Sequence, residues 1–421
     1  MAEEMGPMPE RAGWTGTQVA VLVILLVVTN AVTASVMFFA FPAPTGPASI
    51  VVYHPWAGSE RDLFLPVIDD FTDRTGIQVT DRTFRQEDLQ PILPSQFAAG
   101  RTPADVIFMP GGFITDFGQD GHAMDVSSFI TESDYIPTML DPVKVGEVFY
   151  GAAFTAKVWG LWYRDSVFTT NGWDKNPSTF AEFETMLGDI MADGTVPIVS
   201  GNGVGWPLTG VVEAFIATYG GAQMHKDLIS GAAAFTDADV KAVFTDYLVP
   251  LLQAGYWDTA VEWTQGVQDL SDANNALYMM GSWLPTMSQT EDQDDMRTMN
   301  LPGGVALADQ GVQMSADFFF IPTYTTKPAE AQAFLEYLIS PAGQEKQIEQ
   351  GGHFATNLNA DDSVAPPTFS GDLIAGKQPL ADLDDSLAGD FQSTFWSQLQ
   401  LLWADPFLDL DALLLTIEGA R

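Results

Sequence analysis

The chain has 421 residues, 46% of them hydrophobic, which suits two or three packed domains and excludes a disordered polymer. Its 17 Lys+Arg against 55 Asp+Glu leave a formal net charge of −38, which excludes a nucleic-acid partner, because phosphate binding needs clustered cations. No cysteine is present, so disulfides, thiolate metal sites, cysteine nucleophiles and a lipid-modified N-terminal cysteine are excluded as well.

The acids run from Glu60 to Glu418 instead of forming one tail. That distribution is expected of a halophilic protein, whose carboxylate surface is screened at molar salt. At the N-terminus no Asp, Glu, Lys or Arg lies between Arg11 and Glu60, and residues 17–41 are a run of Val, Leu, Ile, Ala, Met and Phe. As a helix the run would reach about 37 Å, enough to cross a hydrocarbon core of about 30 Å. Residues 1–16 then form a short cytoplasmic head, 17–41 a transmembrane anchor, and 42–48, with three prolines, a stiff linker. The alternative is a cleaved signal segment ending near Ala40, although the head lacks a basic n-region.

Beyond the linker, Ile50–Tyr53 reads as a strand. Leu63, Phe64, Val67, Ile68 and Phe71 recur at helical spacing, with Gly76 as the stop and Pro66 as a start or a kink. Residues 77–80 and 106–109 are further strands flanking a helix over 89–99, and this alternation predicts an α/β fold with a largely parallel sheet. Thr179 with Glu182 forms a capping box before a helix carrying Phe183, Leu187 and Ile190. Later helices are expected at 329–339, 391–403 and 408–417, and residues 359–390 read as a long surface excursion.

Enzyme chemistry finds little support. His54, His122, His225 and His353 are scattered and make no HExxH or other close metal spacing, and no GxSxG elbow or P-loop occurs. With 55 acids, carboxylate pairs arise by chance and identify no glycosidase. No metal and no cofactor is assigned.

Six motifs in order carry a family resemblance: "VVYHPWAGSE…LPVIDDFTDRTGIQV", "FAAGRTPADVIF", "YGAAFTAKVWGLWYRDSVF", "NPSTFAEFETML", "NALYMMGSWLP" and "FLEYLISPAGQEKQIEQGG". They resemble the extracellular solute-binding proteins of ATP-binding-cassette importers, in the carbohydrate-binding group. Departures are Ala104 inserted between Pro103 and Asp105, Arg164-Asp165 at the lobe crossing, and Ala355 where relatives have Pro. The resemblance implies a two-lobe periplasmic-binding-protein-like α/β fold with an interlobe cleft. Lobe 1 is expected from 49–153 and 297–340, lobe 2 from 154–296 and 341–421. It also implies capture of a small solute, a mono- or oligosaccharide, by lobe closure and its delivery to membrane permease subunits. A non-sugar solute on the same fold (an anion, peptide or metal chelate) and an anchored extracellular hydrolase are the competing readings.

Indole faces stack on the C–H face of a pyranose, while amides and carboxylates bind its hydroxyls. Trp56, Trp206 and Trp283 lie beside Gly or Pro in loops that the resemblance assigns to the ligand cleft; inter-domain or core packing is the plainer reading of each. Trp396 resembles a late-helix aromatic that stacks on sugar, although Phe395 and Leu399 show that its helix also faces the core. Glu60 and Lys157 match polar ligand positions in alignment order, and Asp317 falls on a returning strand, where a buried carboxylate needs a partner.

Overall fold

In β1, Ser49–His54, alternate residues are buried, as expected for a strand covered mainly on one face. The following helix runs from Ser59 to Thr75 and buries Phe64, Val67, Ile68 and Phe71, the stripe expected from the spacing. Pro66 lies inside it, because the helix begins about two turns before the proline. Gly76 ends it in the left-handed conformation, φ 74°, with its N–H donating to the Thr72 carbonyl. β2 (Gln78–Thr83) and β3 (Val106–Phe108) then pair parallel with β1 on its two edges. The helix expected over 89–99 is two short ones, Gln86–Leu89 and Leu93–Ala98.

The computed structural model describes residues 47–288, 290–366 and 373–421. The anchor expected at 17–41, its head and almost all of the linker lie outside them. Among the described residues no helix is long and apolar enough to cross a membrane.

Two antiparallel strands, β4 (Lys144–Val145) and β5 (Val148–Phe149), lead into β6, Ala152–Arg164, thirteen residues long. Beyond it lie β7 (Val196–Ile198), β8 (Asn275–Gly281), β9 (Met296–Met299), β10 (Gly311–Phe320), β11 (Phe354–Ala355) and β12 (Gln378–Leu380). The main sheet runs β2-β1-β3-β10-β6-β8-β7. β6 is antiparallel to β10 through its first half and to β8 through its second. One strand therefore serves two cores.

The changeover falls between neighbouring side chains: Val158 is buried with Ile50, Phe64 and Phe334, whereas Trp159 is buried with Phe215, Met280 and Phe395. The return path packs Leu301 in the second core and Val312 in the first. The helix Pro341–Ile348, expected with the second lobe, packs instead on the helix Ser59–Thr75 and on β6 and β11. Leu383, Phe395, Leu402 and Ile417 rejoin the second core. Residues 49–421 form a single compact unit, so both cores and the space between them belong to one body.

Local signals mark several helix ends. Thr179 Oγ1 accepts from Glu182 N at 3.2 Å, and Glu182 Oε2 accepts from Thr179 N at 3.1 Å, closing the expected capping box before Phe180–Ala192. The late helices span Pro328–Leu338, Gly389–Ala404 and Leu410–Glu418. Within the stretch read as a surface excursion, a short helix, Leu383–Leu387, is packed into the second core through Leu383.

Candidate functional site

A cavity of about 250 Å³ lies between the two cores. A cavity of about 150 Å³ holds benzene, so this one has room for a six-membered ring with its substituents. β6 and β10 supply its floor. Their register shifts between Ala316 and Phe318, leaving Asp317 at the irregularity. Asp317 is 1% exposed, and Lys157 Nζ lies 2.6 Å from its Oδ1. Burial raises the Asp317 carboxyl above its ordinary range, and Lys157 pulls it back down. Its Oδ2 has no hydrogen-bond partner and lies 3.7 Å from His353 Nδ1, while that nitrogen is 3.0 Å from Thr155 Oγ1.

Lys157 and Trp159 are two apart on β6 and so share a face of the strand. Trp159 stands edge-on to Trp206 and Trp283, ring centroids 6.0 Å away in both cases. Trp206 is 5.6 Å from Trp263 and 6.1 Å from Trp283. All four indoles line the cavity. Trp206 opens the helix Trp206–Phe215 and Trp263 opens the helix Trp263–Ser271, so both belong to first turns. Trp283 follows β8, whose seven residues are all buried. Ser282 ties that turn down: its N–H donates to Val158 O at 2.8 Å and its hydroxyl to Gly352 O at 2.6 Å. The Trp283 ring lies over Gly281, where a Cβ would fall 1.6 Å from it. Lys157 Nζ is 5.1 Å from the centroid of the same ring.

Trp56 is 5% exposed and sits among Phe64, Phe108, Phe154 and Phe319, so most of its surface belongs to the first core and only part reaches the cavity. Glu60, in the first turn of its helix, faces the cavity as well. Burial pushes its carboxyl up to about 7; the Lys157 ammonium opposes this, the Asp317 carboxylate adds to it, and Arg85 opposes it. The unfolded carboxyl ionises near 4.5 and the folded one near 7, so the folded state binds the extra proton and loses stability as pH rises between those values. Glu60→Gln is expected to flatten the fall in denaturant midpoint from pH 4.5 to 7, measured as variant minus wild type. An unchanged slope would show that Glu60 is ionised throughout.

Trp396 is placed differently from the other expected residues. It is not among the residues that line the cavity, and its indole N–H donates to Asp384 Oδ2, which is. Its Cβ presses on Gly205, where a side chain would fall 2.8 Å away. Asp384 does line the cavity, together with Asp382 and Asp385 from around the start of the helix Leu383–Leu387. Burial drives the Asp384 and Asp385 carboxyls well up, and neighbouring acids add to it. A carboxyl oxygen accepts hydrogen bonds from hydroxyls, which suits a hydroxyl-rich ligand. Across the lobes, Arg85 Nη2 lies 3.3 Å from Glu262 Oε1, and Gln90 Nε2 donates to Gln392 Oε1 at 3.1 Å.

The structure thus brings Trp56, Glu60, Lys157, Trp206, Trp283 and Asp317 to one cavity. Sequence reasoning missed Trp159, Trp263 and the three aspartates. For Trp159 a signal existed, the period of two from Lys157. The aspartates gave none, being three among 55 acids.

Residues 57–345 match the family model described as "Bacterial extracellular solute-binding protein". An uncharacterised ABC transporter extracellular-binding protein of Pyrococcus horikoshii is 38% identical over 376 residues, 88% of this chain and 87% of that one. Among solved structures, a bacterial solute receptor with an exclusive preference for β-D-galactopyranose aligns with TM-score 0.76 at 17% identity, over 89% of this chain and 98% of its own. A chitin oligosaccharide binding protein aligns with TM-score 0.75 at 19% identity, over 89% and 98%. These two likenesses establish the two-lobe fold.

Proposed function

The chain belongs to the bacterial extracellular solute-binding proteins of ABC transporters, and we propose that this member captures a carbohydrate of one or two rings between its lobes. The observation that carries the reading is the four-tryptophan wall facing buried carboxyls across about 250 Å³. Indole presents apolar area to the C–H face of a pyranose, and carboxyls and Lys157 satisfy its hydroxyls. The sugars named for the two fold neighbours, β-D-galactopyranose and chitin oligosaccharide, agree with this chemistry. An anionic solute fits less well, since Arg85 and Lys157 are the only cations among the cavity-lining residues and each already has a carboxylate partner.

The remaining parts of the reading rest on the sequence. The apolar run 17–41 anchors the chain with its binding domain outside the cell, the closed lobes engage a permease, and the net charge of −38 suits molar salt. Isothermal titration against a panel of mono- and disaccharides and anions, at 2 M and 0.1 M salt, tests ligand and environment together. Saturable sugar binding at micromolar or better affinity is expected, with a folded baseline in high salt and a lower melting midpoint at 0.1 M. Binding of an anion alone would replace the carbohydrate reading, and a salt-independent midpoint would remove the halophilic one.

A further inference from the structure

Glu213 is fully buried on the helix Trp206–Phe215, about 170 residues before Asp382 and Asp384. One carboxylate oxygen from each of the three lies within 4.8 Å of the others. An ion bonded to oxygen at about 2.4 Å spans such separations, whereas three bare carboxylates repel one another. We propose that Glu213, Asp382 and Asp384 form a Ca²⁺ site set into the wall of the interlobe cavity.

Two further observations point to a ligand there. Glu213 Oε2 accepts from Leu383 N at 2.9 Å and lies 2.8 Å from His225 Nε2, but Oε1 is buried without a hydrogen-bond partner. A carboxylate oxygen so placed is costly unless something binds it. Gln313, 2% exposed, donates through Nε2 to Asp382 Oδ2 at 2.6 Å, while its own Oε1 is likewise unpartnered. Half a turn of that amide presents its oxygen beside Asp382 as a fourth hard donor. Among the described residues no Lys or Arg forms an ion pair with Glu213, Asp382 or Asp384, so in their ionised state a bound cation would be what balances them. Oxygen-only donors select Ca²⁺ over Zn²⁺ or copper. The anchors are firm: Trp396 fixes Asp384, and Asp382 caps the helix Leu383–Leu387 by accepting from Asp385 N.

Asp382 and Asp384 also line the cavity, so coordination positions left open by the protein face the solute space. This consequence rests on the carbohydrate reading, since adjacent sugar hydroxyls are suitable oxygen ligands; the cation site itself does not.

The test uses the full chain, treated with chelator and returned to molar KCl without any sugar, so its outcome is independent of the solute. Tb³⁺ titration with excitation of tryptophan is expected to give saturable emission that Ca²⁺ displaces, because the Trp396 indole is hydrogen-bonded to Asp384 of the cluster. CaCl₂ titrated calorimetrically should show one strong site and raise the melting midpoint, reversibly with chelator. Asp382→Asn and Glu213→Gln should each weaken Ca²⁺ at least tenfold, whereas the exposed-surface variant Asp411→Asn should leave it unchanged. Absence of a saturable site in the wild type, a measurement that needs no variant, overturns the proposal. So does equal weakening by Asp411→Asn, which would show diffuse binding to the acidic surface.

Discussion

Lys157→Met should cost about 3–5 kcal/mol of stability at neutral pH, the largest effect expected of any single change in the cavity. Methionine nearly preserves the length of the lysine side chain and its place on β6, so the change removes charge more than volume. Asp317 is 1% exposed and has Lys157 as its close cation, at 2.6 Å. Without that ammonium its carboxylate is left buried, with one oxygen already lacking a hydrogen-bond partner. His353 Nδ1 lies 3.7 Å from the carboxylate, but burial lowers the pKa of that imidazole and makes it a poor substitute for the lysine. The loss should shrink as pH falls. In the variant, Asp317 would keep its proton to higher pH than in the unfolded chain, so stability is lost on raising pH and regained on lowering it. Adding Asp317→Asn to Lys157→Met should restore most of the loss. Urea melts of the two variants at pH 5 and pH 7, without solute, provide the measurement. A loss below about 1 kcal/mol for the single variant would mean that water, not Lys157, balances Asp317.

Trp283→Ala is expected to weaken sugar binding by about 2 kcal/mol, roughly 30-fold, with a smaller effect on folding. The indole is half-buried, lying over Gly281, with Trp159 and Trp206 at 6.0 and 6.1 Å. Gly352 closes the other side: a Cβ there would meet Trp283 Cα at 2.9 Å. Held by these contacts and by the Ser282 hydrogen bonds, the ring loses little freedom when a ligand stacks on it. A fully buried aromatic behaves differently, since its truncation costs about 3–5 kcal/mol of stability. Titration of the sugar that binds best, together with a melting curve on the same variant, separates the two roles. Unchanged affinity with a collapsed midpoint would make Trp283 a core residue and move the recognition surface to Trp206 and Trp263.

Features that depend on neighbours in the chain were legible from the residues alone. The stripe from Phe64 to Phe71, the Gly76 stop and the Thr179–Glu182 capping box each rest on interactions within a turn or two, and all three recur in the structure. The order of six short motifs, each weak alone, carried the family. Trp206 and Trp283 drew attention because Gly and Pro flank them.

What tertiary structure decided is which distant residues meet. Trp159 sits in a strand of nearly unbroken burial, where an indole reads as core; only the change of partner along β6 turns it toward a cavity. Asp382, Asp384 and Asp385 come from a stretch whose composition signalled a loop, yet Leu383 draws it into the second core and sets the acids against Glu213. Trp396, on a helix that also faces the core, gives its N–H to Asp384 and is not among the cavity-lining residues. Local patterning encodes the elements because their hydrogen bonds close over a few residues. The cavity is formed by side chains up to some 300 positions apart, brought together by burial, which acts on apolar area and carries no record of sequence separation.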